Sequence, residues 1–96
     1  MASQETDPKA LKALTTRVNS FQSIARKANG IPKQLAGEAG KVLSLVTEGD
    51  LTAAAEVAKQ MGADLTHLPQ SMRGMYKPGI NSIQALVRNL RGGVSA

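Results

Sequence analysis

The stretch LSLVTEGDLTAAAEVAKQMG, residues 43 to 62, constrains the fold of this chain more than any other feature. Gly49 fits the position just after a helix C-terminus, and Asp50 is a preferred N-cap residue for a helix that follows it. From Leu51 to Leu65, apolar side chains recur at spacings of three and four, the period of one helix face. Two helices joined by so short a turn lie antiparallel or nearly so. The stretch therefore predicts a helical hairpin whose alanines allow two backbones to come close.

A helix is predicted on the N-terminal side of this hairpin. Asp7 followed by Pro8 is typical of a helix start, and an apolar stripe runs from there to Ala25. Gly30 is suited to the left-handed residue that ends a helix, and Pro32 allows a new one to begin. The second helix is predicted from about 32 to 48, as the first half of the hairpin.

Two breaks are predicted on the C-terminal side. The first falls at residues 66–69, which end in a proline, and a short helix is expected after it through Met72 and Met75. The second falls at residues 77–79, because proline removes a backbone donor and disfavours helix in the residue before it. A last helix is then predicted from about 79 to 91.

The apolar residues of the chain also favour helices. Only Phe21 and Tyr76 are aromatic, so the core must consist of aliphatic side chains, methionine and many alanines. We therefore predict an all-α fold, a compact four- to five-helix bundle with short connections. The bundle is expected to occupy residues 7–91 as one domain, with a disordered N-terminus at 1–6 and a flexible tail at 92–96.

Composition also indicates where such a protein works. The chain contains no cysteine, which fits a reducing compartment. Neither an apolar run of signal-peptide length nor a stretch long enough to span a membrane occurs in the sequence. The expectation is a soluble intracellular protein of the cytoplasm, without a membrane span.

No set of residues with the spacing of a catalytic or metal site is found. His67 is the only histidine, and no cysteine or second histidine accompanies it at a recognisable spacing. Its expected role is that of a capping or surface residue. The sequence GEAGKV, residues 37 to 42, lacks the length and the ending of a phosphate-binding loop. We therefore predict that the protein is not an enzyme and uses no cofactor and no metal.

Positive charge is concentrated in the two ends of the chain, and the net charge is +5. Such an asymmetry indicates an acidic partner, either an acidic protein or a nucleic acid held by its phosphates. No exposed aromatic residues alternate with the bases, so nucleic-acid contacts would be made to the backbone and would weaken with salt. The residues predicted to bind a partner are Lys9, Lys12, Arg26, Arg73, Lys77, Arg88 and Arg91.

The segments VLSLVTEGDLTAAAEVAKQM and YKPGINSIQALV, in this order, carry a resemblance to a known family. They resemble the helical domain shared by steroid receptor RNA activator protein and the C-terminus of the outer-shell subunit of the COPII vesicle coat. In that family an aliphatic pair ends one helix before a charged turn, and an aromatic residue precedes a glycine that leads an aliphatic helix. The residues here that match this pattern are Leu45, Val46, Ala54, Ala55, Tyr76, Gly79, Ile80 and Ile83. The resemblance implies a non-enzymatic bundle that acts through protein contacts in a vesicle coat or a regulatory complex.

Three functional hypotheses follow. The first is a non-catalytic helical module, an adaptor that binds an acidic protein partner. The second is a basic nucleic-acid-binding bundle, which strong salt dependence and the involvement of Arg88 and Arg91 would distinguish. The third is a small viral or bacterial effector that inhibits a host protein. A second copy of the chain is another way to cover the apolar stripes, so a homo-oligomer stays open.

Overall fold

The computed structural model describes residues 8 to 93 and contains four α-helices. They are α1 (Pro8–Ala25), α2 (Ile31–Thr47), α3 (Leu51–Leu65) and α4 (Gln70–Gly93). Within these residues there is no β-strand, so the predicted all-α fold is confirmed. The predicted disorder at 1–6 lies outside the described residues, as do the last three residues of the predicted tail.

Local signals in the sequence account for the helix boundaries. Gly30 and Gly49 have positive φ angles of 84° and 87°, a conformation that glycine adopts without steric cost. The carboxylate of Asp50 accepts a hydrogen bond of 3.1 Å from the backbone N–H of Ala53 and so caps α3. Pro32 lies in the first turn of α2, where no backbone donor is needed. The helical hairpin formed by α2 and α3 is therefore confirmed.

The four helices form a closed ring around one apolar core. α1 packs against α2 and α4, and α3 packs against the same two helices, whereas the backbones of α1 and α3 lie diagonally opposite and farther apart. The molecule measures 45 × 20 × 17 Å, so the helix axes follow its long dimension. All four helices contribute to the core; its largest fully buried side chains are Leu14, Val18, Leu35, Val42, Val46, Met61, Ile80, Ile83 and Val87.

Helix α4 is continuous, so the predicted break at residues 77–79 and the separate short helix before it are wrong. Pro78 lies inside the helix, on its exposed side. The N–H that proline lacks leaves the carbonyl of Gly74 without its helical partner, and this glycine is also exposed and open to water. Tyr76 and Ile80, on either side of Pro78, are both buried and belong to one apolar stripe. Burial of that stripe keeps the helix continuous.

Glycines and a glutamine set the close approach of α1 to its two neighbours. A Cβ atom on Gly79 would lie 2.7 Å from the Phe21 ring, which also makes an edge-on contact with Tyr76 at a centroid distance of 6.2 Å. On the other side of α1, the side-chain amide of Gln22 donates a 3.0 Å hydrogen bond to the backbone carbonyl of Ala36 on α2. The same amide nitrogen would lie 2.8 Å from a Cβ atom on Gly40. Both contacts depend on the missing side chain of a glycine.

No helix within residues 8 to 93 is both long enough and apolar enough to cross a membrane. The apolar side chains of each helix are confined to the stripe that faces the core, and the opposite side is polar. Two large apolar side chains are exceptions, because Ile24 on α1 and Met75 on α4 are exposed. Methionine at position 75 therefore does not fill the core, whereas Met61 on α3 does.

Candidate functional site

A groove of about 530 Å³ lies between α3 and α4. Its floor consists of Ala55, Ala58 and Val87, of which the last two are buried. Its rim consists of three bases, Lys59 from α3 and Arg88 and Arg91 from α4. We call this surface the basic groove. A groove of this volume, with an apolar floor and a few polar groups at the edge, is typical of ligand-binding sites.

The three rim bases are exposed, and no acidic residue among residues 8 to 93 lines the groove. Within the described part of the chain, none of the three is paired with another side chain. Arg88 and Arg91 are three residues apart on α4, so they project from neighbouring turns on one side of that helix. Lys59 faces them from α3. The groove therefore offers three unpaired positive charges beside the half-buried Ala55.

Gln84 holds the two sides of the groove together. Its side-chain amide donates a hydrogen bond of 2.8 Å to the backbone carbonyl of Ala58 on α3. A Cβ atom on Gly62 would lie 2.8 Å from the same amide nitrogen, so α3 and Gln84 meet in the space that this glycine leaves. A glutamine and a glycine therefore allow a close local approach of the two helices beside the groove.

The four bases predicted on α4 lie on one stripe of the helix, but their contacts differ. Arg73 donates from Nε to the carbonyl of Leu68 at 2.8 Å and from a terminal nitrogen to the carbonyl of Thr66 at 3.0 Å. It therefore satisfies carbonyls at the end of α3 and in the connection that follows. Lys77 is exposed and lies outside the groove, about 16 Å from Arg88 along the axis of α4. Only Arg88 and Arg91 line the groove.

The predicted bases on α1 do not belong to the groove. Lys9 and Lys12 are exposed on α1, which lies diagonally across the bundle from α3, and Arg26 is exposed just after the end of α1; none of them lines the groove. The predicted partner-binding residues are thus divided between two parts of the molecule. Lys59 was missed by the sequence analysis, although it follows Ala58 and lies one turn after Ala55, and this spacing places it at the edge of the apolar stripe of α3.

A second polar group of residues lies between α2 and α3. Asp64 is buried and accepts hydrogen bonds from Gln60, at 2.9 Å, and from Gln34, at 3.1 Å. Glu38, on the same side of α2, has a buried Oε1 atom with no hydrogen-bond partner in the structure. Burial, a hydrogen bond to Asp64 and the charge of that carboxylate raise the pKa of Glu38 from 4.5 to about 7, and Lys41 opposes the shift. Glu38 therefore keeps its proton up to about pH 7 in the folded protein, next to the Asp64 carboxylate.

His67 is exposed in the connection between α3 and α4, as expected for a surface residue. In the part of the chain that the structure covers, no three His, Cys, Asp or Glu side chains are close enough together to hold a metal ion. Tyr76 is buried against Phe21 and is not available to a substrate. The basic groove is therefore the candidate binding surface that the described residues support.

Comparison of the chain with protein-family models, with curated proteins and with solved structures found no match. The resemblance to the vesicle-coat and RNA activator domain accordingly stays a prediction. The functional argument rests on the geometry and charge of the basic groove.

Proposed function

We propose that this protein is a non-catalytic helical interaction module that binds an acidic protein partner through the basic groove. The observation that carries the proposal is the combination of three unpaired cations with an apolar floor. A solvated basic surface has no need of such a floor, since scattered bases stay hydrated on any helix face. Ala58 and Val87 are already buried in the free protein, so the free energy gained when a partner covers the groove comes from the half-buried Ala55 and from the aliphatic stems of the rim bases.

The rigidity of the groove supports the same proposal. Gln84 and Arg73 each tie α4 to backbone carbonyls of α3 or of the connection after it. The two helices that form the groove are thus held in place before a partner arrives, which lowers the entropic cost of binding. Within this proposal, the resemblance noted in the sequence assigns the module to a larger assembly, such as a vesicle coat or a regulatory complex.

The test is a pull-down from an extract of the cells that make the protein, at low and high salt, with and without nuclease. The groove variant combines Lys59→Gln, Arg88→Gln and Arg91→Gln. The control variant, called the α1 variant, combines Lys12→Gln, Arg17→Gln and Arg26→Gln, which removes the same charge from exposed positions on α1 and just after its end. We expect a protein that resists nuclease to bind the wild type and the α1 variant but not the groove variant.

The other outcomes are equally informative. Loss of binding in the α1 variant alone would contradict the groove as the site. Retention of nuclease-sensitive material alone, released by moderate salt, would favour the nucleic-acid-binding bundle, because phosphate contacts weaken steeply as counterions compete. Circular dichroism of both variants establishes that they are folded, and neither changes a core residue.

A further inference from the structure

We propose that the basic groove binds a short amphipathic helix that places one aliphatic side chain on the floor and carboxylates one turn away against the rim. The inference rests on the proposed function and specifies the partner segment. The occupant is a helix of another protein, identified by its chemistry and not by its name.

The size and chemistry of the floor favour an aliphatic side chain of the partner. Ala55 and Ala58 are one turn apart on α3, and Val87 faces them from α4. Because these side chains are small, they leave a depression between the two helices that a leucine or isoleucine can fill. A partner helix that fills this depression would pack on α3 and α4 as α3 packs on α4, with the side chains of one helix in the grooves of the other.

The rim calls for two carboxylates at helical spacing. Arg88 and Arg91 are separated by about 4.5 Å along α4, the rise of three residues. A partner helix repeats this spacing when it carries acidic residues three or four positions apart, because such residues lie on one face. Lys59 on the opposite side is then available to a further acidic group. Charge complementarity of this kind adds to specificity and to the rate of association.

A nucleic acid satisfies the rim but not the floor. Phosphates would reach Arg88 and Arg91, yet no aromatic side chain lines the groove on which an unpaired base could stack. The exposed part of Ala55 and the aliphatic stems of the rim bases would then stay uncovered in the complex. A small free anion leaves the floor uncovered in the same way, so a peptide with both chemical characters is the better fit.

The experiment selects binders from a displayed library of random helical peptides about 15 residues long, a length at which an isolated helix begins to hold. The baits are the wild type, the groove variant described above, and Ala55→Gln, which puts a polar side chain on the floor. The matched control is Ala63→Gln, because that alanine is exposed on α3 outside the groove. Circular dichroism confirms that every bait is folded.

We expect the selected peptides to combine an aliphatic residue with acidic residues three or four positions away. Their affinity should fall about tenfold or more with Ala55→Gln and with the groove variant, a loss of the size expected for a residue at the centre of an interface. Ala63→Gln should leave the affinity unchanged. A single-stranded DNA of equal charge should displace them only at low salt.

Three results would overturn this inference. One is a selection that yields no peptide above a bait-free control, and another is acidic peptides that bind Ala55→Gln as well as the wild type. The third is DNA that competes equally at high and low salt. These failures are distinguishable from failure of the proposed function, which would appear as a natural partner that still binds the groove variant.

Discussion

Residues without a side chain decide how closely the helices of this bundle approach. Gly79 lies under the Phe21 ring, and a Cβ atom there would be 2.7 Å from a ring carbon. Gly74, in the same helix, has no atom within 4 Å of its Cβ position. Two glycines with equal intrinsic helix propensity therefore have opposite structural roles. Substitution by alanine should have opposite effects on stability at the two positions.

Substitution of Gly79 and Gly74 by alanine is expected to change stability in opposite directions. Gly79→Ala must displace the buried ring of Phe21 or push α1 away from α4, which should lower the free energy of unfolding by about 1–3 kcal/mol. Gly74→Ala meets open space and gains helix propensity, so it should raise the free energy of unfolding by about 0.5–1 kcal/mol. Urea denaturation followed by circular dichroism measures both. Equal effects of the two variants would contradict the close contact between α1 and α4.

At the scale of elements, the sequence predicted where helices begin more reliably than where they continue. Gly49 and Asp50 act through local backbone conformation and capping, so their effects could be read from the sequence alone. Gly30 was predicted to end the first helix, but α1 ends at Ala25 and Gly30 is the N-cap residue of α2. Pro78 could not be interpreted in this way, because its unfavourable local effect competes with burial of the stripe that runs through Tyr76 on the core side of α4. Such burial depends on α1, which is distant in the sequence.

The candidate site was predictable only in part for the same reason. Arg88 and Arg91 were predicted from charge, and their shared helix face follows from their spacing. Lys59 comes from another helix, and the groove exists only once α3 and α4 are packed. The hydrogen bonds of Arg73 to carbonyls at the end of α3 depend on that packing as well. Charge alone could not separate this structural arginine from the two that line the groove.

The packing of α2 on α3 is expected to weaken as pH rises through neutrality. The pKa of Glu38 is about 7 in the folded protein against 4.5 ordinarily, so the folded state binds the proton more tightly than the unfolded state. This contribution to stability is complete below about pH 4.5 and is lost as pH rises through about 7. Asp64 on α3 and Lys41 on α2 are the charged groups that act on it.

Glu38→Gln is the substitution that tests this pH dependence, because an amide has no proton to lose and still offers a donor to Asp64. We expect the stability difference between Glu38→Gln and the wild type to shift in favour of the variant from pH 5 to pH 8. Glu56→Gln, at an exposed position of α3, is the control and should follow the wild type. Thermal melts across this range measure the effect. A parallel pH profile for wild type and Glu38→Gln would contradict the raised pKa of Glu38.

At the scale of the whole molecule, the ring of helices closes where α1 meets α4, the first and last elements of the described chain. The edge-on contact of Phe21 with Tyr76 lies at that closure, with the ring planes at 73°. Tyr76 is also the only tyrosine in a chain without tryptophan. Its near-ultraviolet signal therefore reports the closure of the ring specifically, whereas the far-ultraviolet signal reports the helices together.

Because all four helices share one core and none packs independently, the chain should unfold in a single cooperative transition. The near-ultraviolet signal of Tyr76 and the far-ultraviolet helical signal should then disappear at the same urea concentration. Phe21→Leu removes the ring contact and leaves a small cavity, so it should shift both midpoints downward together, by about 1–2 kcal/mol of unfolding free energy. Earlier loss of the tyrosine signal would mean that α1 detaches from α4 before the hairpin of α2 and α3 melts. In that case the hairpin, and not the closed ring, would be the cooperative unit of the fold.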